Sequence, residues 1–167
     1  MIVRPTDQDW ARGYAKQALS DLRAREALVR AGTDKCHRLH FLQMAAEKAC
    51  KAYLATENGH ANVRKSHAYV KRHLPTMARH FYKAISNNKI SQWEISEIRR
   101  LAKEIELLAP ACDDGDVRRD NAEYPWEDSK GRIQIPCEYE FPGIDDGDRR
   151  LVRLVKLIYA ASEAYSQ

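Results

Sequence analysis

No run of apolar residues in this chain approaches the roughly 20 needed to cross a bilayer as a helix, so no membrane partner is expected. The opening MIVRPTDQDW has no basic stretch followed by an apolar core, which argues against a secretion leader. Cys-x-x-Cys is absent: Cys36, Cys50, Cys112 and Cys137 lie far apart, and Cys50 reads as a small buried thiol. Together these point to a reducing, cytoplasmic setting. No glycine-rich phosphate loop occurs, and no Ser–His–Asp or Cys–His arrangement can be argued from spacing. The acidic loop Asp113–Asp120, with Glu127 and Asp128, lacks the ligand spacing of an EF-hand. His37 and His40 stand three apart, as zinc ligands can, but carboxylates around them are sparse, so no metal and no cofactor is expected.

What is present is helical patterning. With 167 residues and 44% hydrophobic content, the chain suits one domain with a real core. The most informative stretch is His40–Tyr53 (HFLQMAAEKACKAY). Its Ala45, Ala49 and Ala52 recur at helical spacing, so two backbones can approach closely along that side. Such a seam packs into a bundle or against a copy of itself.

Asp7 is expected to cap a first helix, running to about Ala31 and stopping at Gly32, with Trp10, Tyr14, Ala18, Leu22 (or Leu19) and Leu28 facing the core. Thr33 or Asp34 opens a second helix, ended by Asn58–Gly59. Ser66 opens a third, which Pro75 interrupts or restarts. Ser91 with Glu94 forms a capping box for a fourth, whose face reads Trp93, Ile95, Ile98, Leu101, Ile105 and Leu108. Asp145–Asp148 leads the last, with Leu151, Leu154, Val155, Ile158 and Tyr159 inward. The expected architecture is an all-α, up-and-down bundle of about five helices. It forms a single domain, 1–167, with an insertion at 112–148.

Within that insertion Ile133, Ile135, Cys137, Tyr139 and Phe141 alternate with polar residues or proline, the period of a strand with one apolar side. Pro136 cannot donate to a ladder, so 132–141 is expected to be a short extended or β arm. Tyr124, Trp126, Tyr139 and Phe141 read as a satellite core beneath it.

Charge is divided along the chain. Residues 1–111 hold 20 Lys/Arg against 11 Asp/Glu, residues 112–148 hold 4 against 12, and residues 149–167 hold 4 against 1. A positive helical surface and a negative loop follow, and the two either neutralise each other or leave the positive face open to a polyanion such as RNA. The densest basic patch is Lys48, Lys51, Arg64, Lys65, Lys71 and Arg72, interleaved with His67 and Tyr69. A patch of this kind binds phosphate, or it is a solvated rim paired with Glu47 and Glu57.

The first two helices, YAKQALSDLRAREALVRAG and HFLQMAAEKACKAYLATENG, resemble the HEPN domain. Ala46–Glu47–Lys48 with Lys51 matches that family's alanine–glutamate–lysine core, and Lys65–Ser66–His67 its histidine-led short helix after a polar loop. The likeness is specific over residues 14–74. It implies a helical bundle, commonly a homodimer, of the kind found in prokaryotic toxin and phage-defence proteins and beside nucleotidyltransferases.

Many members are metal-independent endoribonucleases that carry an arginine, four to six residues, then a histidine near the final helix. The histidine moves protons and the arginine offsets phosphoryl charge. Here all six histidines fall between residues 37 and 80. The one correctly spaced pair, Arg30 and His37, spans a turn between helices one and two. His67–Ala68–Tyr69 resembles a His-x-Tyr tail, but Asn62 stands where its arginine belongs and Arg64 lies closer.

The expected function is therefore a dimeric module associated with RNA or a nucleotide in a defence or toxin–antitoxin setting, without an intact ribonuclease motif. Its partner would be a nucleotidyltransferase or another defence protein. The alternatives are a divergent endoribonuclease using Arg64 or Arg30 with His67 or His37, and a purely structural dimerisation module.

Overall fold

The computed structural model describes residues 4–63, 69–110 and 118–167. Helix α1 (Asp7–Arg30) starts with Thr6 as its N-cap: the Thr6 hydroxyl accepts the Asp9 amide at 3.2 Å, and the Asp9 carboxylate accepts the Thr6 amide at 2.9 Å. Asp7, expected as the cap, lies one residue inside. Its carboxylate instead accepts the His60 amide at 2.7 Å and ties the start of α1 to the end of the next helix. Gly32 (φ +64°) and Gly59 (φ +79°) take left-handed conformations that terminate α1 and α2 (Lys35–Asn58), where the sequence placed those stops.

These two helices form the most extensive pairing in the molecule. Ala11, Ala15 and Ala18 from α1 and Ala45, Ala49 and Ala52 from α2 are all at most 1% exposed. Alanine lets two axes lie close and loses no side-chain rotamer freedom when buried. The alanine ridge is thus used within the chain. The stripe expected on α1 shifts with it. Trp10 is 40% exposed and stacks on His60 with ring centroids 3.9 Å apart, while Ala11, Ala15, Leu19 and Leu22 make the buried face.

Helix α3 (Val70–Phe81) continues into a 3₁₀ turn, Tyr82–Ala84. Pro75 sits inside α3 and neither ends nor restarts it. Its missing amide removes one backbone bond, to Lys71, near the helix start, and its ring is buried. The expected opening at Ser66 lies outside the described residues.

Helix α4 (Gln92–Leu107) begins with the anticipated capping box, Ser91 and Glu94 exchanging backbone and side-chain bonds at 2.9–3.1 Å. Helix α5 (Arg149–Tyr165) starts at Asp148, whose carboxylate accepts the Arg150 amide at 2.8 Å. Leu151, Leu154, Leu157 and Ile158 close the core against α1, α3 and α4. The architecture is an all-α bundle of five helices among the described residues, with a small two-stranded sheet.

The segment before α5 departs from its expected alternation. Only Ile133–Gln134 (β2) is paired, antiparallel to Trp126–Glu127 (β1), and Pro136–Glu138 turns as a 3₁₀ helix. Ile133 and Ile135 are exposed, while Pro136 and Phe141 are buried. The arm follows side-chain anchors rather than an apolar side: Trp126, Tyr139 and Phe141 meet edge to face, with centroids 5.0 and 4.9 Å apart. Tyr124, at 55% exposure, is not part of that satellite core.

The acidic region folds back onto the bundle. Asp146 pairs with Arg25 of α1 at 2.5 Å and Arg38 of α2 at 3.0 Å, and Lys35 donates to the Glu140 carbonyl at 2.7 Å. Part of the positive charge on the first two helices is therefore neutralised from within.

Candidate nucleic-acid interface

The basic residues singled out in the sequence separate into three groups. Lys48 and Lys51 are spent internally. Lys48 reaches across the α1–α2 seam to Asp21 at 2.6 Å, and Gln17 holds the other Asp21 oxygen at 3.1 Å. Lys51 bonds Glu47 at 2.6 Å, Gln43 bonds the second Glu47 oxygen at 3.0 Å, and the Lys51 ammonium lies 5.5 Å from the centre of the Tyr69 ring. Asp21, Gln43 and Glu47 are all under 9% exposed, so this is a sealed polar seam. Of the two readings of Lys48 and Lys51, phosphate binding or internal pairing, the contacts follow the second for Lys51 with Glu47, while Lys48 takes Asp21, which neither reading named. A half-buried ammonium stays with its carboxylate, because separating them leaves a poorly compensated charge.

Arg64, Lys65 and His67 lie outside the described residues. Arg30 and His37 are both exposed at the α1–α2 turn, and neither makes an ion pair or side-chain hydrogen bond among the described residues. His40, three residues on, pairs with Glu123 at 3.2 Å. Among the described residues no three His, Cys, Asp or Glu side chains converge as metal ligands.

The third group is open. Lys71 and Arg72 belong to a helix that turns Val70, Leu74, Met77 and Ala78 inward and leaves Arg72, Thr76, Arg79 and Lys83 exposed, four and three residues apart along one face. Among the described residues none of Lys71, Arg72, Arg79 and Lys83 has an ion pair. The reason is in the sequence: between Glu57 and Glu94 there is no aspartate or glutamate at all. Glu106 of α4 reaches this helix, but its carboxylate accepts the Lys71 backbone amide at 2.8 Å and is engaged at the helix start. His73 is pushed below the ordinary imidazole range, chiefly by burial and then by Arg72.

Where this stripe ends, a groove of about 220 Å³ opens between α4 and α5. Its apolar surface is Ile98, Leu101, Leu154 and Leu157, and Trp93, 61% exposed, stands at its edge. Tyr82 donates to Glu94 at 2.5 Å and Arg153 pairs with the same carboxylate. The Tyr82 hydroxyl, with the Ser91 cap, pulls the Glu94 carboxyl down to about 2. Arg150 pairs with Glu97 at 2.9 Å, whereas Arg149 has no ion pair among the described residues. A neighbouring depression shares Arg149 and Arg153 and adds Ile85, Val152 and Lys156.

Trp93, expected on the inward face of α4, stands in solvent instead. Two residues before Ile95, it lies well off the centre of the Ile95–Ile98–Leu101–Ile105 stripe, which helical spacing alone indicates. The role of the α5 arginines depends on which helix they face, which local spacing does not carry.

A helical bundle with one unpaired basic face and an adjoining aromatic groove offers electrostatic attraction to anions. Among the described residues no nucleophile, base and orienting group come together. No helix is long and apolar enough to cross a membrane among the described residues. No family model, curated protein or solved structure matches this chain.

Proposed function

We propose that this chain is a HEPN-like, non-catalytic module that binds RNA through the outward face of α3, working as a homodimer in a defence or toxin–antitoxin setting. The HEPN assignment rests on Ala46–Glu47–Lys48, Lys51 and Lys65–Ser66–His67 together with the bundle they sit in. The observation that carries the binding function is the row Arg72, Arg79 and Lys83, exposed and without a carboxylate partner among the described residues. Cations in that state release phosphate counterions on contact and so gain affinity that falls with salt. Cations already paired with carboxylates do not.

The test is binding of a labelled RNA in EDTA across a salt series, followed by gel analysis of the same RNA. Salt-dependent binding of uncut RNA supports the proposal. Cleavage abolished by His67→Ala or His37→Ala replaces it with the endoribonuclease reading. Salt-insensitive or absent binding replaces it with a structural dimerisation module. Sedimentation of the free protein reports the homodimer separately.

A further inference from the structure

We infer that the groove between α4 and α5 is a base-stacking subsite, so that the RNA this chain takes is single-stranded. The inference rests on the α3 face as the backbone-binding surface and extends it. Tyr82 and Ile85 flank Lys83, the last cation of that row, along the chain and line the groove and its neighbouring depression, so the end of the basic row and the groove share one turn of chain. From Arg72 to Lys83 the row covers about 16 Å at helical rise, and the groove takes over at its end.

The groove's chemistry selects a flat apolar ring joined to an anion. The exposed Trp93 indole and the aliphatic floor suit the faces of a heteroaromatic ring, while Arg149 at the rim has no ion pair among the described residues. Arg150 and Arg153 are committed to Glu97 and Glu94, so Arg149 and Lys156, without ion pairs among the described residues, are the cations of this rim left to meet a phosphate. With Glu94 ionised at neutral pH, the rim arginines and Lys156 still exceed the two glutamates in charge.

Duplex RNA keeps its bases inside the stack and would leave this surface idle. A single strand presents a ring face at every nucleotide. A second copy of the chain fits less well, because a two-fold contact through this face brings its net positive charge, four cations against Glu94, Glu97 and Asp148, up to the same net charge on the partner.

The experiment compares a fluorescent single-stranded oligoribonucleotide of about ten nucleotides with its duplex, using inorganic polyphosphate as a competitor that has charge and no bases. The parent is expected to bind the single strand about tenfold more tightly than the duplex at equal salt. Trp93→Ala is expected to lose most of that preference while polyphosphate competes as before, and Trp93→Phe to retain it. Trp93 is exposed, so the variants are expected to fold, and circular dichroism confirms it.

Single-strand binding that Trp93→Ala leaves unchanged overturns the inference. So does equal affinity for the duplex, or a dimer that Trp93→Ala dissociates. If Arg72→Gln/Arg79→Gln/Lys83→Gln leaves polyphosphate binding intact, the α3 face itself is wrong, an outcome separable from failure at Trp93.

Discussion

Lys48 and Lys51 on α2 and Arg72, Arg79 and Lys83 on and just after α3 are equally basic in sequence, yet their fates are opposite. The α2 lysines have side chains only 18% and 14% exposed and end on Asp21 and Glu47. The α3 cations stand in solvent with no carboxylate bound to them among the described residues. The difference comes from their neighbours. Asp21 faces α2 across a close-packed alanine seam and Glu47 lies one turn before Lys51, whereas the stretch between Glu57 and Glu94 contains no acid. A count of basic residues along a chain measures how many there are. Whether they are available is set by the acids within a turn or on the facing helix.

Removing one partner from the sealed seam breaks the comparison most severely. Asp21→Ala strands the Lys48 ammonium in the α1–α2 interface, and a loss of about 3 kcal/mol is expected from an uncompensated buried charge. Urea or thermal unfolding measures it. The double variant Asp21→Leu/Lys48→Met, apolar on both sides, is expected to recover most of that stability and to bind RNA within about twofold of the parent. A double variant that loses RNA binding while folded would place Lys48 back in the interface.

A similar but smaller effect is expected at the pinned acidic segment. Asp146→Ala frees Arg25 and Arg38 together, and about 2 kcal/mol of stability should go with it. The freed arginines lie on the α1–α2 side of the bundle, so RNA affinity is expected to change little unless that side also takes part.

The open face should behave in the reverse way. Arg72→Gln/Arg79→Gln/Lys83→Gln removes no ion pair seen among the described residues, so stability should stay within about 0.5 kcal/mol of the parent. RNA affinity should drop at least about tenfold near physiological salt, and the slope of log affinity against log salt should shrink by about 2, three contacts at roughly 0.7 each. An unchanged slope would mean these cations never meet phosphate.

Much of the bundle could be read from sequence because its signals are local. Gly32, Gly59 and the Ser91–Glu94 box end or start helices through chemistry within four residues, and the alanine spacing of α2 dictates a close neighbour. Other features depend on groups distant in sequence. The 132–141 alternation gave way to anchors on Trp126 and Phe141, and Asp7 was drawn off its expected capping role by His60. Lys48 met an aspartate 27 residues away, which no basic-patch reading could supply. Trp93 is the opposite case, since the spacing was sufficient and was overruled by hydrophobicity alone. Arg149, Arg150 and Arg153 became legible only when α5 was laid beside α4.

Glu94 offers the finest test, because it holds a groove arginine in the paired state that the α3 cations escape. Its carboxyl lies at about 2 in the folded chain against an ordinary 4.5, owing first to the Tyr82 hydroxyl and then to the Ser91 cap and Arg153. A carboxylate depressed on folding contributes stability that is complete above the unfolded value and disappears as pH falls toward the folded one. The parent should therefore lose, between about pH 5 and pH 2, about 1 kcal/mol more than Glu94→Gln does, after allowance for solvent screening. Near neutral pH the same substitution releases Arg153 without emptying the groove, and single-stranded RNA affinity is expected to rise by up to about twofold, the worth of one exposed phosphate contact. A fall in affinity instead would show that Arg153 acts only when Glu94 aims it, making the paired arginines of α5 a positioned set unlike the free row on α3.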